Sequence, residues 1–596
     1  MKIKMLAGKK IALIAAAVLI PVIALVCIQL IWRPFGGASF SLSYHAVRLD
    51  IHHPDAVIDS ATLSRLPADM IRLPLLNSLL TRDFVEYYES ETTRLSAEGT
   101  LRKLAFEHNL DWQDELIKYV FDEPSRMLLW RSPDGRLDYW VMTMRRSTLA
   151  KLMQTMVNAV VGDSQLRKIA ELSGSVPVYA LRLAVGKTLL FAAKDDQLLI
   201  ISEPGILLDP EGELIDDRAK ALTQMLKDGG KQAVQSYHLD NSEIANGHRL
   251  VVSVNYLSFG YQTLFPDIAA LRFDFNADGV WSTNALIDPS HLPQQWNNSA
   301  VWSALPANAA VCASLPVNWI DAIDLLSNLG EAEHTAAKAL REQVTGPAGV
   351  CWYAKSTLVT PVFLAQLNPQ SVRNAENLTD IKNALASVFG NTIGAYEARA
   401  SGAADTGYRR LPVETREPSG SVTLWTRAVS TPSGTASSAS SSYASQLSVQ
   451  RYFPVTLALA HGYLVFSPDA RLVDDTLAVL DKRYPAVADM LTPSRHSTTV
   501  ALITPAAAAA LIERESGRAL PADQETIFRN AARTHLLPKL QAAATYPPLT
   551  LSLPATLPTS AGWVPMEWNF EKPIGKGLQD NDASFDRPDG KNTEEY

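Results

Sequence analysis

Two cysteines are the residues whose chemistry follows most directly from their setting in this 596-residue chain. Cys312 and Cys351 both lie in segments typical of β-strands, at 310–312 and 350–353. In an oxidising compartment such a pair forms a disulfide, and two buried free thiols are the alternative. Closing a loop of about 40 residues would stabilise the fold by about 4 kcal/mol in the chain-entropy model. Two cysteines alone do not make a zinc site.

Two short motifs resemble ion-binding or nucleotide-binding loops, but each lacks a required residue. The segment 274–279 begins like a calcium loop, yet Ala285 stands where a bidentate glutamate is required. A hairpin turn at 277–279 explains this pattern better. The sequence Gly-Lys-Thr at 186–188 ends like a phosphate loop, but Leu181 replaces the first glycine and the segment continues into a strand. We therefore predict neither a calcium site nor a nucleotide site.

Two further clusters are weak candidates for metal binding and catalysis. His52 and His53 are adjacent, and neighbouring residues of an extended segment point to opposite sides, so an exposed loop is favoured over a metal site. Thr148 and Lys151 have the spacing of a Ser-Lys motif, which is frequent by chance, and a helix N-cap explains Thr148 more simply. Neither H-E-x-x-H nor G-x-S-x-G occurs. The sequence predicts no catalytic, cofactor-binding or metal-binding residue.

Charge and composition limit the class of binding partner. Arg145 and Arg146 could hold an anionic ligand, although two exposed arginines are the simpler interpretation. The formal net charge is −8 and no basic stripe occurs, which argues against nucleic-acid binding. Apolar residues make up 47% of the chain and charged residues 19%, enough for a sizeable core.

An uncharged apolar run near the N-terminus predicts the compartment. Four lysines lie among the first ten residues, and residues 11–32 carry no charge. About 22 such residues make a helix of roughly 30 Å, the thickness of a bilayer core. Because flanking lysines stay cytoplasmic, we expect residues 1–32 to be a cytoplasmic stub and transmembrane signal anchor in the inner membrane. The large C-terminal region would then lie in the periplasm. A cleaved signal peptide, with small residues at 36–38, is the alternative.

A similar order of elements occurs twice in the remaining chain. The segments 189–203 and 456–467 each read as a hairpin, followed by proline and a helix with an acidic start. We therefore predict an α+β fold of two duplicated halves with antiparallel sheets, 66–292 and 305–573. Chance recurrence of a common pattern is the alternative.

Two segments are expected to lie outside these halves, and a third to be a disordered loop within the second half. Residues 33–65 would be a juxtamembrane segment that leads the chain away from the bilayer. The tract 430–446 is rich in serine and poor in apolar residues, which predicts a disordered loop. The polar residues 574–596 predict a flexible tail.

Two segments have distinctive sequences: 66–89, which opens Leu-Pro-Ala-Asp-Met-Ile-Arg-Leu-Pro, and 346–353, which reads Gly-Pro-Ala-Gly-Val-Cys-Trp-Tyr. In these segments the chain resembles a bacterial family catalogued as domain of unknown function 2138. The resemblance extends from about residue 40 to about residue 573. The resemblance implies an envelope protein of Gram-negative bacteria, often encoded near an alpha-2-macroglobulin-like protein. It carries over no active-site residue.

These observations favour a non-enzymatic binding or scaffold protein of the bacterial envelope. Its expected partners are the inner membrane, through residues 11–32, and another envelope protein, with an alpha-2-macroglobulin-like protein as the candidate. The first alternative is an envelope hydrolase whose site is assembled from distant residues. The second is a lipid-binding or small-ligand-binding protein, which an enclosed apolar cavity would reveal.

Overall fold

The computed structural model divides the chain into two compact units. Unit 1 comprises residues 1–66 and 91–250, and unit 2 comprises 67–90 and 251–596. The structure describes residues 47–71, 73, 123–145, 166–173, 175–184, 187–239, 246–258, 261–290, 296–328, 334–357, 360–400, 411–436, 451–492, 494, 496–518 and 537–570.

Strands are the main element of the described residues. The twenty strands are β1 Ala56–Ser60, β2 Ser125–Trp130, β3 Tyr139–Arg145, β4 Leu166–Leu172, β5 Val176–Ala184, β6 Lys187–Lys194, β7 Gln197–Ile201, β8 His248–Ser253, β9 Ile268–Phe275, β10 Trp281–Ile287, β11 Ala309–Pro316, β12 Val344–Tyr353, β13 Val362–Leu367, β14 Glu414–Ser419, β15 Val422–Ala436, β16 Arg451–Ala460, β17 Tyr463–Ser467, β18 Ser497–Ile503, β19 Leu549–Pro554 and β20 Gly562–Phe570.

Eleven α-helices occur in the same described residues, and several of them are short. They are α1 Leu66–Ile71, α2 Asp216–Asp228, α3 Val254–Leu257, α4 Ser299–Trp302, α5 Trp319–Asn328, α6 His334–Arg341, α7 Pro369–Arg373, α8 Ala375–Ala400, α9 Ala470–Leu480, α10 Pro505–Arg518 and α11 Leu537–Ala543.

The strands of unit 1 form one sheet in the order β4-β5-β6-β7-β3-β2-β1-β8. Helix α2 packs against β6 and β7. Its Leu222 is fully buried, as are Leu128, Val141 and Leu199 of the sheet. The core of unit 1 therefore lies between this helix and the sheet.

The strands of unit 2 form a longer antiparallel sheet in the order β9-β10-β20-β19-β18-β11-β12-β13-β17-β16-β15-β14. One cluster of buried side chains packs α4 and α9 against the central strands. A second packs α5, α6 and α8 against β13 and β15–β17. Within the second, Arg427 of β15 pairs with Glu397 of α8, and both side chains are buried.

The two hairpins predicted from the sequence are present, and their turns explain why. β6 and β7 are joined at Asp195, and β16 and β17 at His461, and each of these residues has a positive φ of 51°. Residues with φ above zero match the twist of a tight two-residue hairpin. Because the contacts that define a hairpin are all local, the residue pattern of each short segment was enough to predict these two hairpins.

The predicted fold class is wrong. An α+β fold with an N-terminal transmembrane helix and two duplicated halves was expected, whereas the described residues are dominated by extensive antiparallel sheet. Unit 2 includes residues 67–90 and all residues from Val251 onward, so parts of the first predicted half group with the second. Strand content was underestimated because polar strands such as β14, whose residues are all exposed, lack an apolar alternation. The same relative strand order does occur for β1–β8 and for β11–β18, in units of unequal size.

No helix within the described residues is both long enough and apolar enough to cross a membrane. The predicted anchor at 1–32 and the predicted tail at 574–596 both lie outside the described residues. Part of the predicted juxtamembrane segment 33–65 is instead β1, since Val57 is fully buried in the sheet of unit 1. The predicted loop 430–446 overlaps β15, whose residues to Ala436 pair with β16 through a register shift. The remainder of that loop is outside the described residues.

Candidate functional site

A cavity of about 310 Å³ opens on one face of the unit 1 sheet, and we call it the basic cleft. Strand register positions its floor, because Asp59 of β1, Arg126 of β2 and Thr143 of β3 are directly opposite one another. Residues two apart on a strand share a face, so Arg145 lies on the Thr143 side. Gln197 of β7 is opposite Arg145. Four neighbouring strands therefore direct polar side chains into one cleft.

The C-terminal end of α2 forms the facing wall of the basic cleft. Gly229 ends the helix in the left-handed conformation with φ 67°, and Thr143 Oγ1 donates a hydrogen bond to its carbonyl at 3.1 Å. Gly230 has φ 75°, and a Cβ atom there would lie 3.3 Å from Arg126 Cδ. Glycine is the residue that adopts this conformation without strain and permits so close an approach. The Gly229-Gly230 turn thus sets how closely the helix end meets the floor.

A buried ion pair fixes the central guanidinium of the cleft. Arg126 Nε donates to Asp59 Oδ1 at 2.6 Å, and Arg126 Nη2 donates to Asp59 Oδ2 at 3.0 Å. The side chains are only 11% and 7% exposed. Bidentate geometry of this kind restrains the plane of the guanidinium. Among the described residues, these two bonds to Asp59 are the hydrogen bonds of the Arg126 side chain.

The Asp228 carboxylate forms hydrogen bonds at the C-terminal end of α2 and not with the cations of the cleft. Its Oδ1 accepts from the N–H groups of Gly230 at 2.8 Å and Lys231 at 3.2 Å. Its Oδ2 accepts from the N–H of Gln232 at 3.3 Å and from Gln224 Nε2 at 3.1 Å. Asp228 therefore caps the turn that follows α2.

Cationic side chains outnumber carboxylates in the lining of the cleft. The cations are Arg126, Arg145, Lys227 and Lys231, and the carboxylates are Asp59 and Asp228. Arg126 is paired with Asp59 and Arg145 is also engaged in an interaction, which leaves the two lysines of the wall. Lys227 and Lys231 are exposed and form no ion pair within the described part of the chain. The cleft can therefore attract an anionic group.

A buried Ser-His pair lies at the edge of the cleft. Ser60 Oγ and His248 Nδ1 are 2.8 Å apart, and the N–H of Thr62 donates to the same hydroxyl at 3.1 Å. Ser60 and His248 are 2% and 3% exposed. Ser60 follows Asp59 on β1, and strand alternation directs its side chain to the opposite face of the sheet. The two side chains are as close as a catalytic nucleophile and its base, but their burial leaves a substrate no open approach to the Ser60 hydroxyl.

The predicted disulfide is present in unit 2. Cys312 of β11 and Cys351 of β12 are directly opposite, with Cα atoms 4.2 Å apart, and are joined as a disulfide. Both residues are completely buried. The bond therefore ties two neighbouring strands inside the core and takes no part in the basic cleft.

The histidines at 52–53 are paired with separate carboxylates. His52 Nε2 lies 3.3 Å from Asp217 Oδ2, and His53 Nδ1 lies 2.7 Å from Asp50 Oδ2. Burial raises the pKa of Asp50, but the hydrogen bonds from His53 and from the His52 backbone outweigh it and leave the pKa below its usual value. Within the described residues, no group of three or more histidine, cysteine or acidic side chains could hold a metal ion.

The other motifs form ordinary structural elements where they are described. Asn276 Oδ1 accepts from the N–H groups of Asp278 and Val280, which makes 276–280 the hairpin turn that was predicted. Lys187 begins strand β6, as expected. Thr148, Lys151 and the second arginine of the pair at 145–146 lie outside the described residues.

Sequence reasoning found only Arg145 among the cleft residues. Arg126, Lys227 and the glycine turn were missed because they come from segments about 100 residues apart. The available signal was Asp228-Gly229-Gly230 after an apolar helical pattern, which is typical of a helix end. That signal predicts a turn, and it does not predict which strands the turn contacts.

Comparison with known proteins identifies the family. Residues 4–568 match the family model described as an uncharacterized protein conserved in bacteria (DUF2138). The chain is also 32% identical over 535 residues to the "Uncharacterized protein YfaA" of Escherichia coli (strain K12), covering 88% of this chain and 91% of that relative. No solved structure matches the chain. A match over nearly the whole length shows that the chain belongs to the bacterial family domain of unknown function 2138.

Proposed function

We propose that this chain is a binding or scaffold protein of the bacterial envelope that uses the basic cleft of unit 1 to engage another envelope protein. The observation that carries the proposal is the pair of exposed lysines, Lys227 and Lys231, on the wall of a preformed cavity. Protein-binding sites commonly use such local charge to orient a partner. An alpha-2-macroglobulin-like protein is the first candidate partner, on the basis of the family resemblance.

The proposed compartment is the periplasmic side of the inner membrane. The uncharged run at 11–32 supports attachment to that membrane, with the preceding lysines retained on the cytoplasmic side. The disulfide between Cys312 and Cys351 supports an oxidising compartment for unit 2. A fusion of alkaline phosphatase to the C-terminus should be active in cells, whereas a cytoplasmic C-terminus would leave it inactive.

Cross-linking in intact cells tests the binding role. A tagged full-length chain would be cross-linked, solubilised in detergent and analysed by mass spectrometry. A single partner at fixed stoichiometry, with cross-links to unit 1 near Lys227 or Lys231, is expected. Recovery of unrelated abundant proteins without a fixed ratio would count against a binding role.

A serine hydrolase is the second candidate, favoured by the 2.8 Å distance between Ser60 Oγ and His248 Nδ1. It ranks second because Ser60 is 2% exposed and its hydroxyl already accepts a backbone hydrogen bond. Labelling by a fluorophosphonate that disappears in Ser60→Ala would support hydrolysis. Lipid binding gains no support from the basic cleft, because the cleft is not an enclosed apolar cavity and six of the residues that line it are charged.

A further inference from the structure

We propose that the basic cleft of one copy of this chain binds the acidic loop 209–213 of a second copy. The inference rests on the proposed binding function of the cleft, and it concerns how access to that cleft is regulated. It follows from the rigidity and charge of the loop, from the lysines on the wall of the cleft, and from the length of the helix that separates loop and cleft.

The loop that precedes α2 is held rigid and carries negative charge. A bridge between Leu208 and Leu214 closes it. Asp209 Oδ1 accepts from the N–H of Glu213 at 2.8 Å, and the N–H of Asp209 donates to the carbonyl of Glu213 at 2.9 Å. The side chains of Glu211 and Glu213 are exposed. A loop whose backbone is already fixed loses less conformational freedom when it binds.

The wall of the basic cleft carries the opposite charge. Lys227 and Lys231 are exposed, and both line the cavity. The carboxylates of Glu211 and Glu213 from a second copy would meet these ammonium groups at the rim. Complementary charge of this kind guides two surfaces together and fixes their register.

The length of α2 keeps the loop away from the cleft of its own molecule. The helix has 13 residues, and at 1.5 Å per residue its two ends are about 20 Å apart. The loop comes directly before the first residue of the helix, where the N–H of Ile215 donates to the carbonyl of Leu207, whereas the cleft lies at the last residue. A second copy must therefore supply the carboxylates.

The volume of the cleft suits the tip of a loop and not a folded domain. About 310 Å³ lies at the lower limit of ordinary ligand pockets, which are roughly 300–1,000 Å³. Because the loop and the cleft are different surfaces, the contact is head-to-tail and builds closed rings or open chains. Each cleft that holds the loop of another copy is closed to other proteins.

Sedimentation velocity of the full-length chain in detergent, over a series of protein concentrations, tests this inference. We expect the wild type to associate reversibly with itself. The cleft variant Lys227→Glu/Lys231→Glu and the loop variant Glu211→Lys/Glu213→Lys should each weaken this association at least about tenfold, because like charges would then meet in the contact. Lys220→Glu is the matched control and should stay within about twofold of the wild type, because Lys220 is exposed on the same helix but does not line the cleft.

Mixing the two variants isolates the charge contact from any other effect of the substitutions. An equimolar mixture should associate again, because the acidic loop of the cleft variant meets the basic cleft of the loop variant, and the two reversed surfaces also match. Circular dichroism of each variant separates a loss of charge from a loss of folding.

The inference would be overturned by a wild type that stays monomeric at every concentration, by unchanged association in either variant, by an equal loss in the Lys220 control, or by no recovery on mixing. Cross-linking in cells keeps the two proposals apart. A stoichiometric envelope protein joined near Lys227 or Lys231, without joined copies, would leave the binding function standing and overturn this inference. Joined copies without any other stoichiometric protein would support self-association and remove the other protein from the binding function.

Discussion

Loss of the Cys312–Cys351 disulfide should destabilise unit 2 and leave unit 1 unchanged. The bond joins directly opposite residues of β11 and β12, and each of these strands has a further hydrogen-bonded neighbour, β18 or β13. Both cysteines are completely buried. A reductant will therefore reach the bond only when the sheet opens, so the reduced protein must be prepared by unfolding, reduction and refolding.

The expected magnitude follows from the size of the closed loop. The cysteines are 39 residues apart. In the chain-entropy model such a loop changes the entropy of the unfolded chain by about −13 cal/mol/K, which is about 4 kcal/mol at 25 °C. For a large unit, each kcal/mol shifts Tm by about 2 °C, so reduction should lower Tm by about 8 °C. The variant Cys312→Ala/Cys351→Ala should lose somewhat more, because it also removes buried sulfur atoms from the core.

Urea denaturation combined with hydrogen–deuterium exchange measures this effect in each unit. All proteins should carry Cys27→Ser, so that only the two cysteines of unit 2 contribute thiols. Peptides from β11 and β12 should exchange faster in the reduced protein, while peptides from β6 and β7 of unit 1 serve as the internal control. If complete reduction, verified by thiol counting, leaves the free energy of unfolding within about 1 kcal/mol, the loop-closure reasoning is refuted.

Three other substitutions test features of the fold. Gly349→Ala should cost about 1–3 kcal/mol in urea denaturation, because its Cβ would lie 2.6 Å from Val301 Cγ1; Gly420→Ala, with open space around it, is the control and should cost little. Arg427→Met should cost about 3–5 kcal/mol by removing the guanidinium that pairs with the buried carboxylate of Glu397, whereas Arg427→Met/Glu397→Leu should cost much less, and equal losses would contradict this account. Hydrogen bonds from the Arg483 guanidinium and, to a smaller extent, from the His461 imidazole lower the pKa of Asp481 below its ordinary value of 3.8. Its contribution to stability is therefore present above that pH and lost as the pH falls through the folded pKa, so Asp481→Asn should flatten the acid limb of a plot of unfolding free energy against pH.

Local elements were predictable from the sequence wherever one short segment contains every required contact. The turn at 276–280 and the hairpins at Asp195 and His461 are of this kind. The pairing of Cys312 with Cys351 spans 39 residues and was predicted on other grounds, since both lie in strand-like segments and an oxidising compartment was expected. Polar strands could not be predicted in this way. β14 is exposed throughout, and its partner β15 gives it a place in the sheet that its own residues do not indicate.

The family segment at 346–353 contributes to packing and not to the basic cleft. Gly349 packs so closely against Val301 and Leu305 that no side chain fits, and Cys351 forms the disulfide. These residues hold β12 in the core of unit 2. None of these residues lines the basic cleft, so the distinctive sequence of this segment reflects the packing of unit 2.

The overall charge of the chain bears on the kind of partner that the proposed binding function would involve. The net charge is −8, so the charge of the chain as a whole opposes a broad acidic partner, whereas Lys227 and Lys231 of the basic cleft attract an acidic group locally. At physiological ionic strength these interactions decay over about 8 Å, which leaves the attraction strictly local. A protruding acidic segment can enter the cleft while the rest of the partner remains beyond the screening distance. The proposed binding function therefore favours a partner that presents a loop or a terminus over one that presents a broad acidic face.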